Sequence, residues 1–166
     1  MDKSALERLA LRYAERYATT RARLAAYLRR KLRERGWSGE DAPPIESVVA
    51  RMTALNYVDD RAFATARAAS LGRRGLGERR VTQDLRAAGV AEEDSAEARA
   101  ESRTQAWTAA IRFAERRKFG PFAAVPPERA GREKALAVML RAGHPLDLAR
   151  TIILARPGET VEPVDT

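Results

Sequence analysis

Two adjacent carboxylates, Asp59 and Asp60, stand near the head of "NYVDDRAFATARAASLGRRGLGERR", residues 56–80, a stretch otherwise crowded with arginine and glycine. Side-by-side acids are the raw material of a magnesium site, or of the general acid and base of a nuclease. Such a site needs further carboxylates converging on it. Between 61 and 90 the chain offers only Glu78 and Asp84, both within an arginine-rich segment. Helix-start chemistry fits the pair better. With Asp59 as N-cap, its carboxylate accepts from free backbone N–H groups, and Asp60 at the first helical position favours the positive end of the helix dipole. Val58 and Phe63 then fall at the two positions of a hydrophobic staple, which fixes the entry angle of the chain.

The arginines are the second candidate. Residues 61–90 hold 7 basic and 2 acidic residues and so carry +5 of the net +8, whereas 91–166 balance at 12 and 12. Arg73, Arg74, Arg79 and Arg80 flank a turn containing Gly72, Gly75 and Gly77. Guanidinium groups and turn N–H groups there could face one anionic object together, such as a phosphate. "GRRGLGER" resembles a phosphate-binding loop only superficially: no strand precedes it and no Gly-Lys-Ser/Thr follows, so a nucleotide cofactor is not expected. "RFAERRKFGPF", residues 112–122, sets Arg116, Arg117 and Lys118 beside Phe119 and Phe122, either a stacking platform for single strands or a helix end with core anchors. His144 is the single histidine and has no second ligand or triad partner, so it is assigned no role.

These residues must be positioned by helices. Leu6, Leu9, Tyr13 and Tyr17 recur at helical spacing over 4–18, with Ser4 and Glu7 in capping-box register. Leu24, Tyr27, Leu28 and Leu32 form the stripe of a second helix, off which Arg29, Arg30 and Arg33 lie, and Gly36 ends it. Ile45, Val48, Val49, Met52 and Leu55 follow Pro44 as a third. The pattern then recurs, with helices from about 60 to 72 and from 78 to Gly89, an acidic alanine-rich segment at 91–102, and helices near 105–118, 128–142 and 145–154. Leu32, Leu85 and Met139 each precede a terminating glycine by four residues, and those glycines are 53 and 54 residues apart. A period that regular predicts an all-α fold, an elongated tandem array of about three three-helix repeats, each too small to bury its apolar face alone. The expected boundaries are 1–58, 59–104 and 105–156, with 157–166 a disordered tail.

Composition agrees. The chain of 166 residues is 45% hydrophobic and 33% charged but only 6% aromatic, a mix that favours helix. The absence of cysteine excludes disulfides, thiolate zinc sites and cysteine nucleophiles. No apolar run approaches the roughly 20 residues of a membrane span, and the first residues lack the apolar core of a secretory signal. A cytoplasmic protein with a polyanionic or acidic partner is expected.

"LNYVDDRAFATARAASLGRRGLGERRVTQDLRAAGV", residues 55–90, resembles the hallmark segment of the bacterial RecX regulatory proteins, and "TTRARLAAYLRRKLRERGW", residues 19–37, resembles their first repeat. The segment at 91–102 departs from the family pattern, and the third unit is recognisable mainly by "MLRAGHPLDLARTIIL". The resemblance implies helical repeats and a non-enzymatic modulator of the RecA recombinase, active in DNA repair, recombination and the SOS response. Such a protein binds along the groove of the RecA–DNA filament, restrains ATP hydrolysis and strand exchange, and itself touches DNA without sequence preference. The reading that emerges is a monomeric filament-binding regulator without cofactor, metal or catalytic residue. Arg73, Arg74, Arg79 and Arg80 are its main basic contacts, and Arg29, Arg30 and Arg33 its secondary ones. The alternatives are an independent helix-turn-helix-like DNA-binding module and, third, a nuclease using Asp59 and Asp60.

Overall fold

The computed structural model describes residues 1–163, and among them the regular structure is entirely helical. The helices are α1 (Lys3–Arg16), α2 (Arg21–Arg35), α3 (Ile45–Ala54), α4 (Asp60–Arg73), α5 (Glu78–Ala87), α6 (Glu92–Thr104), α7 (Ala106–Arg117), α8 (Arg129–Arg141) and α9 (Leu146–Leu154), with a short 3-10 turn at Gly120–Phe122. Residues 157–163 carry no helix; the last three positions of the expected tail lie outside the described residues.

Local chemistry accounts for the ends. Asp2, not Ser4, caps α1: its carboxylate accepts from the Ala5 N–H at 2.8 Å, while the Ser4 hydroxyl lies inside the helix and accepts from Arg8. The capping-box expectation therefore fails, because an aspartate two residues earlier offers the stronger, charged acceptor. Thr20 caps α2 and Asp59 caps α4, its Oδ1 2.9 Å from the Ala62 N–H. Leu55 ends α3 half-exposed rather than extending its stripe.

Compactness groups Met1–Thr65 with Leu85–Ser95, and Ala66–Asp84 with the chain from Ala96 onward, so the division falls inside α4, α5 and α6. The first unit is organised around Leu6, Leu24, Leu28, Val48 and Met52, with Val58 joining them from the loop before α4. Tyr13 of α1 and Tyr27 of α2 stack at its edge with centroids 4.1 Å apart. The second unit centres on Ala110, Ala114, Met139, Ala149 and Ile152, with Phe113 and Ile153 beside them. Both cores are built from large aliphatic side chains seated against alanines, which lets helices approach closely.

The glycines of the 53–54-residue period explain why the units interleave along the chain. Gly36, Gly89 and Gly143 all take left-handed backbone, with φ of 72°, 73° and 95°. A Cβ at Gly89 would collide with Ala22, in the first turn of α2, and one at Gly143 would lie 2.5 Å from the Arg80 nitrogen, in the first turn of α5. The carbonyl before each of these two glycines accepts a bond from the residue preceding the same helix. The Thr20 hydroxyl donates to Ala88 at 2.6 Å, and the Gly77 N–H donates to Ala142 at 2.9 Å. One joint thus recurs: the helix end of a later repeat seats on the start of the second helix of the repeat before it. The first joint lies wholly within the first unit and the second wholly within the second.

α6, which has no apolar side chain larger than alanine, buries Ser95 and Ala98 and is separated from α7 by Gln105 alone. Its arginines reach back to α5, with Arg99 and Arg103 at 3.6 and 3.5 Å from Glu78.

Candidate functional site

The arginine-rich turn joins α4 to α5 in the second unit. Its position is set by Leu71, buried at the end of α4, and Val81, buried in α5, and by a bidentate pair between the helices: Arg67 donates to Asp84 at 2.6 and 2.8 Å. That carboxylate hydrogen bond holds the Arg67 guanidinium even more firmly protonated than usual.

The turn is no anion cradle of backbone N–H groups, contrary to the expectation from its glycines. The Gly75 N–H donates to Gly72 at 2.8 Å, Leu76 to Leu71 at 3.0 Å, Gly77 to Ala142 at 2.9 Å and Arg80 to Gly77 at 3.0 Å. The glycines serve close packing instead. A Cβ on Gly75, where φ is 77°, would lie 2.9 Å from the Phe113 nitrogen, and one on Gly77 would overlap the Gly143 carbonyl.

What remains for a ligand is side-chain charge. Arg73, Arg74, Arg79 and Arg80 are exposed, and among the described residues none forms an ion pair with an acid. The two acids of this stretch are taken: Asp84 by Arg67, and Glu78 by Arg99 and Arg103. Arg116 of α7 adds a further guanidinium at the turn, donating to the Arg73 carbonyl at 2.9 Å. Four solvated guanidinium groups with no ion pair among the described residues suit phosphates or carboxylates.

The secondary set lies on α2 in the first unit. Arg29 pairs with Glu46 at 2.9 Å, and Arg30 lies 3.7 Å from Glu34 and over the Tyr27 ring; Arg33 is exposed with no acid partner among the described residues. Exposed pairs of this kind are weak and readily exchange partners.

Asp59 and Asp60 are both committed to structure. Asp60 does more than favour the dipole. It is only 5% exposed, and its carboxylate accepts from the Arg21 backbone N–H at 2.9 Å and the Arg21 Nε at 3.2 Å. The guanidinium of Arg21 also meets Asp94, which Arg61 contacts at 3.2 Å. One buried carboxylate therefore satisfies the start of α2 while beginning α4. Among the described residues no group of three or more acids and imidazoles converges as metal ligands. Val58 is buried in the first core, and Phe63 is half-buried with Arg23 5.2 Å from its ring centre.

Phe119 and Phe122 pack against the second core, so they anchor a helix end and offer no stacking platform. His144, assigned no role from sequence, is fully buried behind the basic turn. Its Nε2 lies 2.9 Å from the Gly75 carbonyl, which makes that nitrogen the donor, and its Nδ1 has no partner among the described residues. Burial pushes its pKa down, opposed by the bond to Gly75. The signal available in sequence was position alone: His144 follows a period glycine, as buried Val90 does.

Helices in a recurrent joint, with an arginine cluster beside one joint, define an all-helical repeat protein. Comparison gives the family. The model for the second three-helix domain of RecX proteins matches residues 59–98. The regulatory protein RecX of Myxococcus xanthus (strain DK1622) is 32% identical over 160 residues, covering 92% of this chain and 86% of that protein. The crystal structure of RecX from Lactobacillus salivarius superimposes with a TM-score of 0.65 at 19% identity, over 90% of this chain and 93% of that one. A second crystal structure, of a regulatory protein RecX, gives 0.69 at 18% identity over 90% and 72%. The chain belongs to the RecX family of regulatory proteins.

Proposed function

We propose that this chain binds the filament formed by the RecA recombinase on DNA and restrains its ATP hydrolysis and strand exchange, acting by occupancy and not by chemistry of its own. The observation that carries this reading is the exposed quartet Arg73, Arg74, Arg79 and Arg80 on the α4–α5 turn, which forms no ion pair among the described residues. Guanidinium groups so placed grip phosphate oxygens without reading bases, which suits non-specific contact with DNA inside a nucleoprotein filament. The RecX resemblance supplies the recombinase as the protein half of that target. Three repeats at 1–58, 59–104 and 105–156, related by the recurrent glycine joint, form the binding body, which acts as a monomer in the cytoplasm. The family-model match at 59–98 supports the middle boundary.

The test is ATP hydrolysis by the recombinase on single-stranded DNA, measured against increasing amounts of this protein. Hydrolysis should fall as the protein saturates the filament. Unchanged hydrolysis together with no binding to the filament overturns the proposal. A pronounced sequence preference on duplex DNA without recombinase would replace it with an independent DNA-binding module.

A further inference from the structure

The second basic surface of the molecule is hidden by averaging along the sequence. Residues 91–104 concentrate five acids, and from 105 to 156 the chain has ten basic residues against four acidic ones. Part of that charge lines a groove of about 210 Å³ between α8 and α9 in the second unit. Its floor is aliphatic, formed by Leu136, Ile153 and Leu154. Its rim is formed by Arg129, Arg132 and Arg150 together with Glu133, three cations against one acid.

Two features mark this groove as unpartnered. Leu154 is 68% exposed and Leu146 41%, and with Arg150 between them they form a stripe at the i, i+4, i+8 spacing of one helix face. An exposed leucine costs the monomer nothing singly, but two on one face beside an aliphatic groove form a docking stripe. The cations are also undersupplied with acid. Arg129 pairs with Glu133 at 3.0 Å, Arg132 donates to the Pro127 carbonyl, and Arg150 has no acid partner among the described residues.

The repeat itself shows what such a surface accepts. Arg129 is the first residue of the second helix in the third three-helix set, as Arg21 is in the first. Arg21 is met there by Asp94, brought by the following set of helices. Arg129 instead meets only Glu133 of its own helix among the described residues. We infer that the α8–α9 groove docks an acidic segment of a protein partner, one bulky apolar side chain entering between Leu136 and Leu154 and flanking carboxylates meeting Arg129, Arg132 and Arg150. A phosphate backbone could use the rim but has nothing to place on the aliphatic floor. This deepens the proposed function, on which it rests, by assigning the groove to the protein half of the filament and the α4–α5 arginines to its DNA.

The experiment compares Leu154→Ser and Arg150→Glu with the unaltered protein for binding to recombinase filaments on poly(dT) and to bare fluorescein-labelled poly(dT). Both positions are exposed, and thermal unfolding by circular dichroism checks that both variants fold. The expected result is at least fivefold weaker filament binding for Leu154→Ser and tenfold for Arg150→Glu, with less than threefold change on bare DNA. Filament binding equal to that of the unaltered protein in both variants overturns the groove assignment and leaves the proposed function standing. Equal losses on filament and bare DNA overturn it in favour of a phosphate site. Self-association by sedimentation that disappears in Leu154→Ser overturns it in favour of a second copy of this chain. Failure of the unaltered protein to bind filaments removes both readings.

Discussion

Replacing Asp60 by alanine should destabilise the first unit more than replacing its neighbour Asp59, although both stand at the same helix start. Asp59 makes one capping bond at the surface, and a lost N-cap costs about 0.5–2 kcal/mol. Asp60 is buried and accepts from both the backbone N–H and the Nε of Arg21. The backbone bond to a charged acceptor is worth about 1.5–3 kcal/mol. The side-chain bond adds less than about 1 kcal/mol because Arg21 is 45% exposed and solvent screens it. Asp60→Ala should therefore cost about 2–4 kcal/mol, and Asp60→Asn, which keeps an acceptor for the N–H, about half of that. The assay is urea unfolding followed by fluorescence in a Trp107→Phe background, which leaves Trp37, packed on the first core, as the remaining tryptophan. A cost for Asp60→Ala no greater than for Asp59→Ala would refute the buried-clamp account and restore a plain dipole role.

Replacing Arg73, Arg74, Arg79 and Arg80 together by alanine should weaken binding to filaments and single-stranded DNA and leave the melting temperature nearly unchanged. The slope of log K against log salt should flatten by about 0.7 for each phosphate that the variant no longer neutralises. His144 sits neutral in the fold with its pKa held below the ordinary imidazole value near 6.5 by burial. The unfolded chain therefore takes up a proton first as pH falls, so its contribution to stability is full above about pH 6.5 and is lost as pH drops through the folded value. Melting curves from pH 8 to 5 should show that decline, and His144→Phe should reduce it. Gly77→Ala should cost about 1–3 kcal/mol by overpacking backbone against backbone. Gly72→Ala, whose Cβ would meet nothing within 4 Å inside α4, should stabilise by about 0.5–1 kcal/mol. Chemical denaturation of the two variants decides both.

The helices were legible because their signals are local. Leu24 and Leu28 recur at helical spacing and are both fully buried, and each period glycine ends a helix in left-handed backbone. Asp59 was legible as a cap for the same reason, since capping involves only the next three residues. The site was legible as charge: seven arginines against two acids within thirty residues stand out in any count. Its turn was misread because glycine permits two uses, exposing N–H groups to a ligand or admitting another backbone, and only the neighbour at Ala142 and Gly143 distinguishes them.

The sequence by itself determined an all-helical chain, its period of 53–54 residues and the stretch where positive charge goes unbalanced, because each depends on residues near one another in the chain. Only the tertiary structure decided that Asp60 is a buried clamp on Arg21, 39 residues away, that His144 holds Gly75 from 69 residues away, and that Arg29 and Arg30 have acid partners while among the described residues the α4–α5 quartet forms no ion pair. The physical reason is that desolvation and pairing are properties of what packs around a group, and a one-dimensional pattern records spacing without recording what fills the space.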